Sequence, residues 1–391
     1  MHPSAHRWAN PILFVCLAQA AFAAPPKAPA NLTVAEFDAL VASLRQQSDG
    51  KAARGLARVT LKERAGADQV ARWEADFQGS RAREALLAVT DASAFQNPPA
   101  AEILHNSPPD AAAAQQIVAK AVDYVKQVMP KLPNFSALRA TSSFEIATQA
   151  QLDSQKLMGN LVQQSHKAKP NYQSLGPAES TGMRDAQIFW TGSNSKLVTN
   201  REGFEVTESP GATAGQGDQG SLNMVTIGEF GPILSVITLE ALPDKMAWNR
   251  WEQGPAGPLA VFDYAVPRAR SHFAVEFNLN EPPDFPAYHG EIAIDPASGA
   301  IFRITIVANM HEPDTLRQVH LTVEYEHVTI GGVPYICPVH GVAMVSFLDH
   351  YADENAQPPP IPFEVTINDV SFTNYHLFRS ESHVLNGAIG R

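Results

Sequence analysis

Apolar residues fall at every second position through three consecutive stretches of the C-terminal half, and a fourth stretch after them is apolar on both faces. From His289 to Asp295, Ile292 and Ile294 share one face while Glu291, Ala293 and Asp295 share the other. A period of two marks a strand with one buried side. Asp295-Pro-Ala-Ser-Gly299 then supplies a turn: proline fixes φ at the first corner, and glycine takes the positive φ needed to leave it. The return strand, Ala300–Asn309, sets Phe302, Ile304, Ile306 and Ala308 on a dry side and Arg303, Thr305 and Asn309 on a wet one. Val319–Ile330 repeats this, with Leu321, Val323 and Tyr325 opposed to His320, Thr322, Glu324 and Glu326. Gly331-Gly332-Val333-Pro334 closes a second hairpin. Tyr335–Leu348 is apolar on both faces, which predicts a central strand covered on both sides. Each large side chain in such a row contributes roughly 1.5–3 kcal/mol when buried, as an upper bound, so an opposing layer is required.

The flanks supply it. Phe135–Ile146, Met246–Gln253, Leu259–Val266, His272–Asn278 and Phe363–Tyr375 read as further strands, and Ala186–Trp190 with Lys196–Asn200 as a hairpin around Thr191-Gly-Ser-Asn194. Glu229–Leu242 reads as a helix, with Pro232 suited to its first turn and Phe230, Ile233, Leu234, Ile237 and Ala241 on one side. A helix this apolar is expected to lie across the sheet. Upstream, Thr33-Val-Ala-Glu36 has capping-box spacing before Phe37, Leu40, Val41 and Leu44, and Asp49-Gly50 reads as that helix's stop. Short helices follow around Ala52–Leu61, Asp68–Phe77 and Ser80–Val89, a small bundle read as a packing lid or spacer. A proline-rich linker precedes the helix Ala111–Met129, whose stripe is Ile117, Ala121, Tyr124, Val125 and Val128.

The expected fold class is therefore α+β: a small helical N-terminal region, then a large, mostly antiparallel curved sheet or incomplete β-barrel capped by a helix. The expected division is 1–23 signal peptide, 31–97 helical region, 98–110 linker, 111–133 connecting helix, 134–378 antiparallel β-domain and 379–391 tail. The leader reading rests on Arg7, the apolar run Ile12–Phe22 and the small-residue site Ala21-Phe22-Ala23. That run is about half the ~20 residues a spanning helix needs, and no later segment reaches that length. An exported chain, periplasmic or extracellular, without a membrane span after cleavage is expected. Cleavage would remove Cys16 and leave Cys337 alone, so the core rather than a disulfide must hold the fold. A net charge of −11 across 391 residues, with no long basic run, argues against nucleic acid as a partner.

Candidate chemistry thins on inspection. Gly215-Gln-Gly217-Asp-Gln-Gly220 matches a dinucleotide fingerprint, but the glycines work only between a strand and a helix of a βαβ unit. Ser193-Asn-Ser-Lys196 matches S-x-x-K, yet Ser193 falls in a predicted turn and no K-T-G follows. Nine histidines lie after residue 270. His289 with Glu291, and His320 with Glu324, share strand faces. Cys337 and His340, three apart on a strand, point to opposite sides unless a bulge intervenes. These pairs fall short of a four-ligand set, and Asp349, Asp353 and Glu354 read as a solvated charge run. No catalytic residue, cofactor or metal is expected.

What remains is aromatic. Trp248, Trp251, Phe262, Tyr264, Phe273, Phe302 and Tyr325, with Phe230, Ile233, Ile237 and Ile304, are the candidates for an apolar groove between a curved sheet and its helix. The plainer reading of the same residues is a packed core. The stretch Tyr288-His-Gly-Glu-Ile-Ala-Ile-Asp295-Pro-Ala-Ser-Gly299 with Arg303, Val323-Glu-Tyr325 and Gly331-Gly-Val-Pro-Tyr-Ile-Cys-Pro-Val339 resembles a recurrent bacterial pattern of uncharacterised exported proteins. So does the helical lead, through Ala71-Arg-Trp-Glu74 and Ala94-Phe95 with Pro98-Pro-Ala-Ala-Glu-Ile103. More distantly the β-region resembles the periplasmic lipoprotein-carrier superfamily, which implies an incomplete barrel holding acyl chains. The function expected is a non-catalytic binding protein for a lipid, acyl chain, lipoprotein or apolar partner segment. The alternatives are a cell-envelope interaction module that engages an envelope protein, and a metal-dependent enzyme.

Overall fold

The computed structural model describes residues 30–127, 131–148, 173–177, 186–201, 204–208, 245–275, 282–310, 316–348 and 363–377, together with 233, 234, 238, 240 and 241. The fold is α+β, built on one 12-stranded sheet. Its spine is the meander read from the sequence. β10 (Ala287–Ile294), β11 (Ile301–Asn309), β12 (Leu316–Ile330), β13 (Val333–Leu348) and β14 (Phe363–Leu377) pair antiparallel in chain order. β8 (Ala247–Gln253) and β9 (Pro258–Val266) extend one side, where β3 (Ile103–Leu104) forms the edge. β4 (Phe135–Thr148), β6 (Ala186–Arg201), β5 (Gln173–Pro177) and β7 (Phe204–Glu208) extend the other. Among the described residues the two edges do not meet, so the sheet is open rather than a barrel.

The turns carry the residues their geometry demands. Gly299 sits at φ 79°, and Gly331 and Gly332 at 61° and 86°, the left-handed region where glycine has no Cβ penalty. Asp295 anchors the first turn by accepting from the backbone nitrogens of Ala297 and Ser298, each at 3.1 Å. α5 (Ala111–Gln127) rests on that turn, its Lys120 Nζ donating to the Pro296 carbonyl at 2.9 Å.

Two layers cover the sheet. On one face, Ile117, Ala121 and Val125 of α5, with helical Ile233 and Leu234, pack on Phe262, Tyr264, Ile292, Ile304, Val323 and Tyr325. On the other lies the lead: β1 (Ala30–Leu32), α1 (Val34–Leu44), α2 (Asp49–Leu56), β2 (Val59–Leu61), α3 (Ala67–Ala75) and α4 (Ser80–Asp91). Phe37, Leu56, Trp73 and Leu86 of the lead share one core with Phe144, Val342, Met344, Val365 and Ile367 of the sheet. The capping box forms as the spacing predicts: Thr33 Oγ1 accepts from the Glu36 nitrogen at 3.2 Å, and Glu36 accepts from the Thr33 nitrogen at 2.8 Å.

Several local expectations are corrected. Asp49-Gly50 opens α2 rather than stopping α1, because an acidic residue in the first turn suits the positive end of a helix. Its carboxylate also accepts from the Ala82 nitrogen at 2.8 Å and so caps α4, which has no side-chain cap of its own. The helix expected over Ala52–Leu61 ends at Leu56, and Val59–Leu61 pairs parallel with β1. Thr191–Asn194 makes no turn: β6 runs on through it because β4 pairs with it on both sides, the register shift at Thr191 being absorbed as a bulge. The linker carries the edge strand β3. In place of a strand at His272–Asn278, the described part makes a single bridge, Val275 to Asp284. The supposedly wet row of the meander is covered by the lead, leaving Arg303 and Thr322 buried.

A buried charge seam between lead and sheet

The polar side chains at the middle of the covered row are buried or largely so, and a buried polar group needs a partner. Glu252 of β8 is the centre. Arg303, from β11, grips it with two parallel bonds, Nη1 to Oε1 at 2.6 Å and Nη2 to Oε2 at 3.0 Å. Arg64, from the segment after β2, donates to the same Oε1 from the lead side. Arg250 donates to Glu252 Oε2 at 3.0 Å and forks onto both oxygens of Glu291 at 2.7 Å each. Burial alone would push the Glu252 carboxyl up, but Arg303 and Arg64 outweigh it and hold it well below the ordinary carboxylate range. Glu291 is likewise held low, Arg250 overriding the effect of burial.

A second cluster lies farther along the same seam. Opposite the Glu324–Tyr325 step of β12, β13 carries one extra residue, Val339, a bulge beside which His340 stands across from Glu324. His340 Nε2 lies 2.6 Å from Asp369 of β14, and its Nδ1 lies 3.6 Å from Glu324. Burial opposes a charged imidazole, yet Asp369 and Glu324 raise His340 well above its usual value. Asp91, the last residue of α4, completes the cluster from the lead. Burial and the nearby Asp369 carboxylate raise its carboxyl well above the ordinary range.

Two cavities open along the seam, with Arg64 and Ala94 on the wall of both. The larger, of about 290 Å³, lies between the segment following α4 and strands β9–β11. Phe95 and Val307 give it an apolar wall; Gln96, Asn97, His289, Arg64 and Arg303 give it polar groups. The smaller, of about 20 Å³, is walled by Asp91, Thr322, Glu324 and His340.

Gly290 shapes the larger cavity. A methyl group there would sit 1.9 Å from the Thr305 carbonyl oxygen, so only glycine admits this approach. The Tyr264 hydroxyl donates to that same carbonyl at 2.6 Å.

The residues singled out by sequence distribute as follows. Ile233, Phe262, Tyr264, Phe302, Ile304 and Tyr325 belong to one packed cluster between the sheet and α5, with Trp248, Trp251 and Phe273 partly buried against it. Phe230 and Ile237 lie outside the described residues, as do Gly215–Gly220, Asp349, Asp353 and Glu354. His289 pairs with Asn309 at 3.1 Å, while Glu291 is committed to Arg250, so that strand-face pair does not converge. His320 packs edge-on against Phe95. Cys337 belongs to a third cluster with Phe135, Val370 and Phe372, away from His340, and burial pushes its thiol up to about 12. Ser193 and Lys196 lie within β6.

Arg64, Asp91, Glu252 and Asp369 carry no local sequence signal, since each becomes a site residue only through long-range pairing. One clue was present. A strand apolar on both faces, such as β13, implies a second layer, and that layer must also cover the charged row of its neighbours. No family model, curated protein or solved structure matches this chain. Among the described residues no helix is long and apolar enough to cross a membrane.

Proposed function

We propose that this chain is an exported, non-catalytic binding protein whose ligand seats in the seam between the helical lead and the sheet. One observation carries the reading: the cavity of about 290 Å³ combines an apolar wall with fixed polar groups, the composition of a small-molecule seat. Its volume suits a fragment-sized amphipathic molecule or the end of a longer chain. The carboxylates on its wall are held in structural bonds, Glu291 by Arg250 and Asp263 by Asn249, which suits recognition better than proton transfer. The leader pattern at residues 1–23 supports export.

Native mass spectrometry of the protein purified from its own envelope tests this. The expected spectrum shows a co-purifying small molecule on the wild type that is lost from Val307→Trp, which fills the cavity. A wild-type spectrum free of adduct overturns the reading. An adduct that survives Val307→Trp moves the seat to the layer around Phe262 and Tyr325, where an acyl chain would lie.

A further inference from the structure

We infer that Asp91, His340 and Asp369 bind a divalent first-row transition ion, Zn²⁺ or Mn²⁺, at the small cavity in the seam. One ligand atom from each of the three lies within 4.8 Å of the other two. A tetrahedral ion with bonds near 2.1 Å spaces its donors about 3.4 Å apart, so small side-chain rotations close the set. Donors of this mixed imidazole and carboxylate type suit first-row ions better than Mg²⁺ or Ca²⁺.

Two buried atoms around the cavity point to an occupant. Asp91 is 2% exposed and its Oδ2 has no hydrogen-bond partner; Thr322 is 4% exposed and its Oγ1 has none either. Both residues wall the cavity. An unpartnered buried polar atom is costly, and two of them on residues that wall one small cavity call for a partner there. Asp91 adds a directional argument. It ends α4, so its carboxylate belongs to the negative end of a helix whose last turn holds no basic residue to offset it. A cation there satisfies the carboxylate and the helix terminus together.

The surroundings complete the arrangement. Glu324 Oε2 lies 3.6 Å from His340 Nδ1, the place of the carboxylate that orients a metal-bound imidazole from behind. His340 Nε2, now paired with Asp369, is the nitrogen left for the ion. Because Asp91 comes from the lead while His340 and Asp369 come from the sheet, the ion ties the two layers together. This inference is independent of whatever occupies the larger cavity.

Calorimetric titration of the tag-free full chain with ZnCl₂, MnCl₂ and MgCl₂, alongside thermal unfolding, decides it. The wild type is expected to take about one Zn²⁺ or Mn²⁺ per chain with a rise in Tm, and no Mg²⁺. Asp91→Asn keeps the size of the side chain and removes its charge; it should bind about a hundredfold more weakly or worse. Glu324→Gln should weaken binding about 10–100-fold and serves should Asp91→Asn fail to fold. His105→Ala, at an exposed position just after β3, should leave affinity unchanged. A wild type that takes neither Zn²⁺ nor Mn²⁺ stoichiometrically overturns the site, as does unchanged affinity in a folded Asp91→Asn or Glu324→Gln protein.

Discussion

Arg303 and Glu252 face each other across two intervening strands and join through a bidentate fork of 2.6 and 3.0 Å. The pair is buried, with 9% and 3% of the two side chains exposed, and Arg64 docks onto it from the lead. Removing one partner of such a pair strands charge in a dry place, at a cost of about 3–5 kcal/mol. Glu252→Ala leaves Arg64 and Arg303 without their shared carboxylate and should lose that much in urea unfolding. A loss below about 1 kcal/mol would mean that water reaches the seam. Replacing Arg64, Glu252 and Arg303 together by apolar residues of similar volume should cost far less than the single change.

The same carboxyl sets an acid response. Its folded-state value is depressed by Arg303 and Arg64, so its contribution is complete above the unfolded-state value of about 4.3 and declines as pH falls toward the folded value. The stability gap between wild type and Glu252→Gln should stay constant from pH 7 to about 4.5, then narrow with further acidification. Denaturation series at successive pH values measure it. A gap that widens below pH 4 would reverse the sign and refute the assignment.

Legibility followed the range of the interactions. Alternation is local, so Ile292, Ile294, Ile304 and Val323 announced their strands and their buried face. The turn at Asp295–Gly299 was legible for the same reason, since one residue supplies the caps and another the positive φ. Asp49 misled because helix starts and stops draw on similar residues, and its bond to Ala82 spans 33 positions. β6 misled because Thr191–Asn194 has turn composition, yet pairing along β4 overrides it. The seam was illegible for a stronger reason: Arg64 and Glu252 are 188 residues apart. Polar residues on alternate strand positions look the same in sequence whether water or another layer lies above them.

Gly290 offers a sharper steric test. A methyl group would overlap the Thr305 carbonyl oxygen, which is backbone and cannot swing aside. Gly290→Ala should therefore force strands β10 and β11 apart and lower stability by about 1–3 kcal/mol or more, as overpacking does. The Tyr264 bond to that carbonyl should loosen with it. Chemical denaturation and amide exchange at Thr305 and Ile306 read both effects. Unchanged stability would show that the strands tolerate the extra carbon.

The lead and the sheet should unfold as one unit. Phe144 is fully buried in the core that Phe37, Leu56 and Trp73 share with Val342 and Ile367. Phe144→Ala should cost about 3–5 kcal/mol, because the cavity it leaves is walled by both layers. More tellingly, its effect should reach the lead: Trp73, whose indole nitrogen donates to Asp38 at 2.7 Å, should lose its native environment at the same denaturant concentration as the sheet. Removing residues 31–97 altogether takes away Arg64 and Asp91 and bares the row formed by Phe144, Val342, Met344, Val365 and Ile367. Such a truncated chain should bind hydrophobic dyes or aggregate, since an exposed apolar row of that length has no stable surface. A soluble, cooperatively folding β-body without the lead would show that the sheet closes its own core.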